Sequence, residues 1–171
     1  HPFGIGVRML LADRKGGDRQ RRRHQQVDLL EEQLHADRQL GPVAGGTLQV
    51  GYRLRNVPGG RFSVEINLAM PSCDGYSGRY VLADGSIPCG FGQELELAAA
   101  TQLTLDDRFL GGGLRLTASR PLDIRARPHH TVSQSEAGFE KIMQAACLTL
   151  SWPIDAAVEE LTLSLEILAD K

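Results

Sequence analysis

Apolar residues in this chain recur at every second position far more often than at every third or fourth. Between Arg61 and Met70, Phe62, Val64, Ile66, Leu68 and Met70 alternate with Ser63, Glu65, Asn67 and Ala69. An extended backbone turns successive side chains to opposite faces, so this alternation predicts a strand with one face in a core. The same period returns at Leu114, Leu116 and Ala118, at Leu122, Ile124 and Ala126, and at Leu161, Leu163, Leu165 and Ile167. Ile142 to Trp152 reads similarly, through Gln144, Ala146, Leu148 and Leu150. Ile5–Leu11, Thr47–Leu54, Arg79–Ala83 and Leu103–Leu105 are less regular candidates, which brings the expectation to about nine strands.

Turn formers separate these runs: Pro58-Gly59-Gly60, Asp74-Gly75, Asp84-Gly85, Gly111-Gly112-Gly113 and Arg127-Pro128. Nineteen Gly and eight Pro punctuate the chain too often for a helical bundle. No alternation of a strand with a long helix appears, so the pattern predicts an all-β, antiparallel sandwich and not a parallel α/β sheet. One helix is expected near 21–40, where Val27, Leu30 and Leu34 follow i, i+3, i+7 spacing and Gly41-Pro42 stops the run. The polar stretch 14–23 reads as an exposed loop. This divides the chain into residues 1–19, a strand and loop of unassigned affiliation, and residues 20–171, the sandwich.

Composition narrows the function. The 171 residues carry 19 Lys and Arg against 21 Asp and Glu, a charge balance unsuited to neutralising many phosphates, so no nucleic acid is expected as partner. No apolar run exceeds four residues, far below the ~20 of a membrane helix, and no membrane partner is expected. His1-Pro2 and the short apolar stretch after it do not resemble a secretory leader, and the missing initiator Met points to a trimmed chain. Cys73, Cys89 and Cys147 are odd in number and lack zinc-ligand spacing. A Cys73–Cys89 bridge is the alternative to free buried thiols, and free thiols point to a reducing, cytoplasmic location.

Candidate chemistry is sparse. Glu31-Glu32, Asp106-Asp107 and Glu159-Glu160 are neighbouring carboxylates, but strand neighbours face opposite ways, whereas acetal hydrolysis needs two carboxyls converging on one bond. His129-His130 lacks a third ligand at metal spacing. Gly111-Gly112-Gly113 reads as a hairpin turn in preference to a phosphate cradle, and no nucleophile elbow is present. Neither a metal nor a cofactor is expected. Tyr76 and Tyr80, in a Gly- and Ser-rich loop, are candidate sugar platforms, while Trp152 reads as a core plug at a strand end. The polar run Thr131 to Glu140 follows an Arg/His cluster and reads as a structured loop at an interface or ligand. Arg127, His130, Gln134 and Glu136 are its candidate contacts.

At this run the sequence resembles the C-terminal domain of glycoside hydrolase family 57 enzymes of the α-amylase and 4-α-glucanotransferase type. The matching segments are TVSQSEAGFE (131–140), RFSVEINLAM (61–70), GRYVL (78–82) and LTLSWPI (148–154). They fall in the right order over most of residues 20–168; residues 1–19 and the Arg-rich 14–23 stretch depart from the pattern. The resemblance implies a β-sandwich of the galactose-mutarotase-like supersandwich type, carried behind a catalytic (β/α)₇ barrel and a small helical domain. It implies that the parent's glutamate nucleophile and aspartate acid/base lie on that barrel, so no catalytic residue is assigned to this chain.

The expected function is therefore a non-catalytic accessory domain of an α-glucan-active enzyme, with the upstream barrel of the same polypeptide as partner and α-glucan as a second contact. Two alternatives stand beside it: a mutarotase-like sugar epimerase using His129 or His130 with Glu136 as an acid/base pair, and a purely structural domain. At 171 residues the chain has room for a whole sandwich but not for the enzyme it resembles.

Overall fold

The computed structural model describes residues 5–12, 37–43, 46–55, 60–70, 77–107, 112–135, 138–154 and 158–169. They form nine strands: β1 (Ile5–Ala12), β2 (Asp37–Val43), β3 (Thr47–Arg55), β4 (Gly60–Leu68), β5 (Gly78–Val81), β6 (Leu95–Asp107), β7 (Gly112–Ser135), β8 (Gly138–Ile154) and β9 (Val158–Ala169). All neighbours are antiparallel, in the order β1-β4-β8-β7-β9-β3-β2, with β5 and β6 branching from β7. The expected all-β antiparallel architecture is what the chain adopts. Among the described residues there is no helix, and therefore none long and apolar enough to cross a membrane.

β7 holds the two layers together. At about 3.3 Å per residue, its 24 residues would extend roughly 80 Å, whereas a 171-residue domain has a radius of gyration of about 15 Å. The strand must therefore change partners along its length. Its opening residues, Gly112 to Ala118, lie between β9 and the second half of β6; its later part, from Asp123, lies against β8 and the start of β6. The corner is marked by register shifts in β6 between Leu97 and Gln102, and by Ala99 at φ 51°. Pro121 sits in the same corner. Lacking an N–H, it falls where the ladder has already passed from one partner to the next.

Asp123 fastens this corner. Its carboxylate accepts the Ala99 backbone N–H at 3.2 Å and pairs with Arg61 of β4. The Ala99 bond first, and Arg61 second, hold the Asp123 carboxyl below its ordinary range.

The two layers face each other across one core. One side brings Val50, Tyr52 and Leu54 of β3 with Leu161, Leu163 and Leu165 of β9; the other brings Phe62, Val64, Ile66 and Leu68 of β4 with Leu148, Leu150 and Trp152 of β8. Tyr52 meets Phe62 edge-on across the gap, with centroids 5.3 Å apart, and Phe62 stacks on Trp152 at 6.0 Å. Trp152 is the strand-end core residue that its sequence position suggested.

Several expectations change. Residues 37–40 of the expected helix lie in β2, which continues through Gly41-Pro42 to Val43; the rest of that helix, 21–36, lies outside the described residues. β2 takes its form from pairing with β3 along its whole length, and Pro42 is tolerated because β2 ends the strand path. The runs at 114–118 and 122–126 are one strand. Gly112 and Gly113 open β7 instead of turning. β1, from the unassigned N-terminal segment, pairs with β4 from Ile5 to Ala12. Gln144 is out of phase with Ala146: a bulge opposite His129 and His130 leaves it unpaired in the ladder and exposed, and Met143 takes the buried position.

Two measurements check this framework. A Cβ on Gly113 would stand 2.6 Å from the Leu105 carbonyl oxygen, so Gly113→Ala is expected to destabilise the domain by roughly 2 kcal/mol, read as a lowered urea midpoint with unchanged slope. Because folding depresses the Asp123 pKa, its stabilising contribution is present at neutral pH and fades as pH falls below about 4. Asp123→Asn, which retains an acceptor for Ala99, is expected to cost no more than about 1 kcal/mol at pH 7. The difference from the parent shrinks between pH 5 and pH 2 in thermal melts.

Candidate functional site

The outward face of the β4-β8-β7-β6 layer carries the densest polar chemistry among the described residues. Ser63, Glu65 and Asn67 alternate with the core positions of β4, Thr149 and Ser151 with those of β8, and Asp123, Arg125 and Arg127 with those of β7. Register sets them in rows. Ser63, Ser151 and Asp123 form one row, Glu65, Thr149, Arg125 and Glu96 a second, and Asn67, Cys147 and Arg127 a third.

Within and between the rows the charges neutralise each other. Arg125 approaches Glu96 at 3.3 Å and Glu94 at 3.4 Å, Arg127 approaches Glu65 at 3.6 Å, and Arg61 meets Asp123. The Ser63 and Ser151 hydroxyls are bonded at 2.7 Å. Between them lies a shallow depression of about 400 Å³, lined by Arg61, Glu96, Asp123, Arg125, Thr149 and Ser151. Such a surface offers hydroxyl and guanidinium donors beside carboxylate acceptors with little net charge, which suits a neutral polar ligand better than an anion.

Cys147, below this face, is buried, and burial pushes its thiol up despite a hydrogen bond from Arg127, so it is a poor thiolate. That same bond is the first cause that raises the Arg127 guanidinium. Cys89 is likewise a free thiol that burial pushes up, so it is not bridged to Cys73, which itself lies outside the described residues.

The residues singled out by sequence do not gather at one place. Arg127 projects from the outward face, whereas His130 and Gln134 fall on the opposite, core-side face of β7, because the alternation passes from one to the other. His129 and His130 are consequently divided between the two faces. The run Thr131–Glu140, expected as a loop, is instead the end of a hairpin: Thr131 pairs with Ile142, Ser133 with Glu140, and Gln134 with Phe139. Glu136 and Tyr76 lie outside the described residues.

Tyr80 is no platform. It is 0 % exposed, its ring meets Phe91 edge-on at 5.1 Å, and its backbone N–H bonds the Cys89 carbonyl. The chain from 82 to 94 folds back over β5, aided by the Asp84-Gly85 turn, in which Asp84 accepts the Ser86 N–H at 2.9 Å. Gly78 leaves room for the Phe91 ring, which would stand 2.3 Å from a Cβ there.

Sequence reasoning passed over the polar rows, because its strand analysis followed the apolar positions; the alternate residues of β4, β7 and β8 were the available signal. Among the described residues no three His, Cys, Asp or Glu side chains gather to hold a metal ion. Asp106 and Asp107 do divide as strand neighbours must. Asp106 takes Arg79 at 2.6 Å, and Asp107 is buried.

Known proteins give this arrangement a context. Residues 22–167 match the family described as "Alpha-amylase/4-alpha-glucanotransferase, C-terminal". An alpha-amylase of Pyrococcus abyssi (strain GE5 / Orsay) is 30% identical over 98 residues, which is 50% of this chain and 15% of that protein. The crystal structure of 4-alpha-glucanotransferase from Thermococcus litoralis superposes with a TM-score of 0.53 at 25% identity, over 75% of this chain and 18% of that one. The matched region is thus less than a fifth of either relative. With a match that spans residues 22–167, this chain belongs to the alpha-amylase/4-alpha-glucanotransferase C-terminal domain family.

Proposed function

We propose that this chain is the non-catalytic accessory sandwich of an α-glucan hydrolase or 4-α-glucanotransferase, supporting a catalytic (β/α)₇ barrel on the same polypeptide. The observation that carries this reading is the family match over residues 22–167, which takes in all or part of eight of the nine strands. The side chains on those strands fit it. Glycoside hydrolysis by the usual route requires one carboxyl poised to donate a proton and a second roughly 5–9.5 Å away across the bond to be cleaved. Here Glu65, Glu94, Glu96, Asp106, Asp123, Glu160 and Glu166 each sit against an arginine. Of these, Asp123 is held below its ordinary range, the opposite of what a proton donor needs.

The family match over residues 22–167 favours the accessory reading over a mutarotase-like epimerase, whose acid/base pair would join His129 or His130 to Glu136. An α-glucan contact fits the outward depression between Arg61, Arg125, Thr149 and Ser151 better than it fits Tyr80. The free thiols of Cys89 and Cys147 agree with a reducing, cytoplasmic setting.

The test is enzymatic. Incubated with maltoheptaose or amylose, the 171-residue chain is expected to release reducing ends at the buffer rate, and the rotation of fresh α-glucose is expected to decay no faster than in buffer. Turnover of either substrate above buffer that survives repurification overturns the accessory reading.

A further inference from the structure

The β7–β8 hairpin outruns its neighbours. β4 pairs with β8 only as far as Ala146, and β6 with β7 only as far as Ala126. Beyond these points, among the described residues, β7 and β8 pair with each other alone out to Ser135 and Gly138. A two-stranded ribbon in water is marginal unless something packs on it.

The ribbon's core-side face also carries large apolar residues beyond the core, set among polar ones. After the bulge at Gln144, Met143 is buried opposite His130, and the alternation then leads outward to Val132, 69% exposed, and Phe139, 79% exposed. Lys141 stands across from Val132 and Gln134 across from Phe139, both exposed. The core face of the sheet thus runs on past the sandwich with two large apolar side chains in solvent. The other exposed large apolar residues among those described, Ile87 and Ile167, lie on separate elements.

We propose that this ribbon face docks the sandwich onto the catalytic portion of its own polypeptide, with Phe139 and Val132 entering an apolar recess and Lys141 and Gln134 at its rim. The inference rests on the accessory reading given above. Length identifies the occupant: the matched region is 18% of the glucanotransferase chain and 15% of the α-amylase, so most of each relative lies outside it on the same polypeptide. Composition agrees, since an aromatic and an aliphatic centre with a polar rim is the make-up of a protein interface. A sugar would stack on Phe139 but would draw little from Val132.

Cross-linking on the full polypeptide tests it. The chain has three lysines, Lys15, Lys141 and Lys171, so a link from Lys141 is identified by its peptide. Lys141 is expected to link to the catalytic portion, with a yield at least fivefold lower in the Val132→Ser/Phe139→Ser variant. Amides of 130–134 and 139–143 are expected to exchange at least tenfold faster in that variant, while β4 amides exchange unchanged, which shows that the sandwich itself is intact.

Equal exchange in both forms, or no link from Lys141, overturns the docking and leaves the accessory reading standing. Protection that appears only when maltoheptaose is added would assign the ribbon to glucan and overturn the docking as well. A polypeptide without a catalytic portion would overturn both.

Discussion

The passage of one strand pair through both layers is the constraint on which the rest of this structure depends. β6 and β7 turn a corner together, and every other strand hangs from one side of it or the other: β9, β3 and β2 from the start of β7, β8, β4 and β1 from its later part, and β5 from the end of β6. The corner places Ala99 at positive φ, a conformation that costs a non-glycine residue of the order of 1 kcal/mol. It is kept because Asp123 gives the Ala99 N–H an acceptor and ties it to Arg61 two strands away. The local cost is small beside the core it closes, in which Tyr52, Phe62 and Trp152 meet across both layers.

The same corner shapes the chemistry of the outward face. Once β4, β8, β7 and β6 lie side by side, their alternate residues form rows in which arginine and carboxylate alternate with hydroxyls. Each charge finds a neighbour of opposite sign, so the face presents many hydrogen-bonding groups and little field. Exposed pairs of this kind stabilise the fold only slightly. Of the carboxylates, Asp123 is held below its ordinary range, which keeps it out of proton donation.

Much of the fold was legible because period 2 is a direct image of the strand. Phe62 to Met70 and Leu161 to Leu165 are buried at the positions the alternation marked. β2 was not legible, because Asp37–Val43 has no alternation of its own and gains its form from pairing with β3. The phase of β8 was misread at Gln144, because a bulge is a relation between two strands and leaves no mark in either alone. The site was less legible for the same reason. Tyr80 appeared to stand in a loop until Phe91 and Cys89 folded over it. Arg127 and His130 are three residues apart in sequence, yet they look out from opposite sides of the sheet.

The pairing of β3 with β9 has a consequence for the life of the chain before it is folded. Arg53 and Glu160, joined across these strands, are 107 residues apart in sequence. During synthesis β3 emerges long before the strand that completes its layer, and Val50, Tyr52 and Leu54 have no finished core to enter until the partner strand, 107 residues on, is made. Closure therefore joins distant parts of the chain, and the unfinished layer is exposed to the wrong partners while the intervening residues are made.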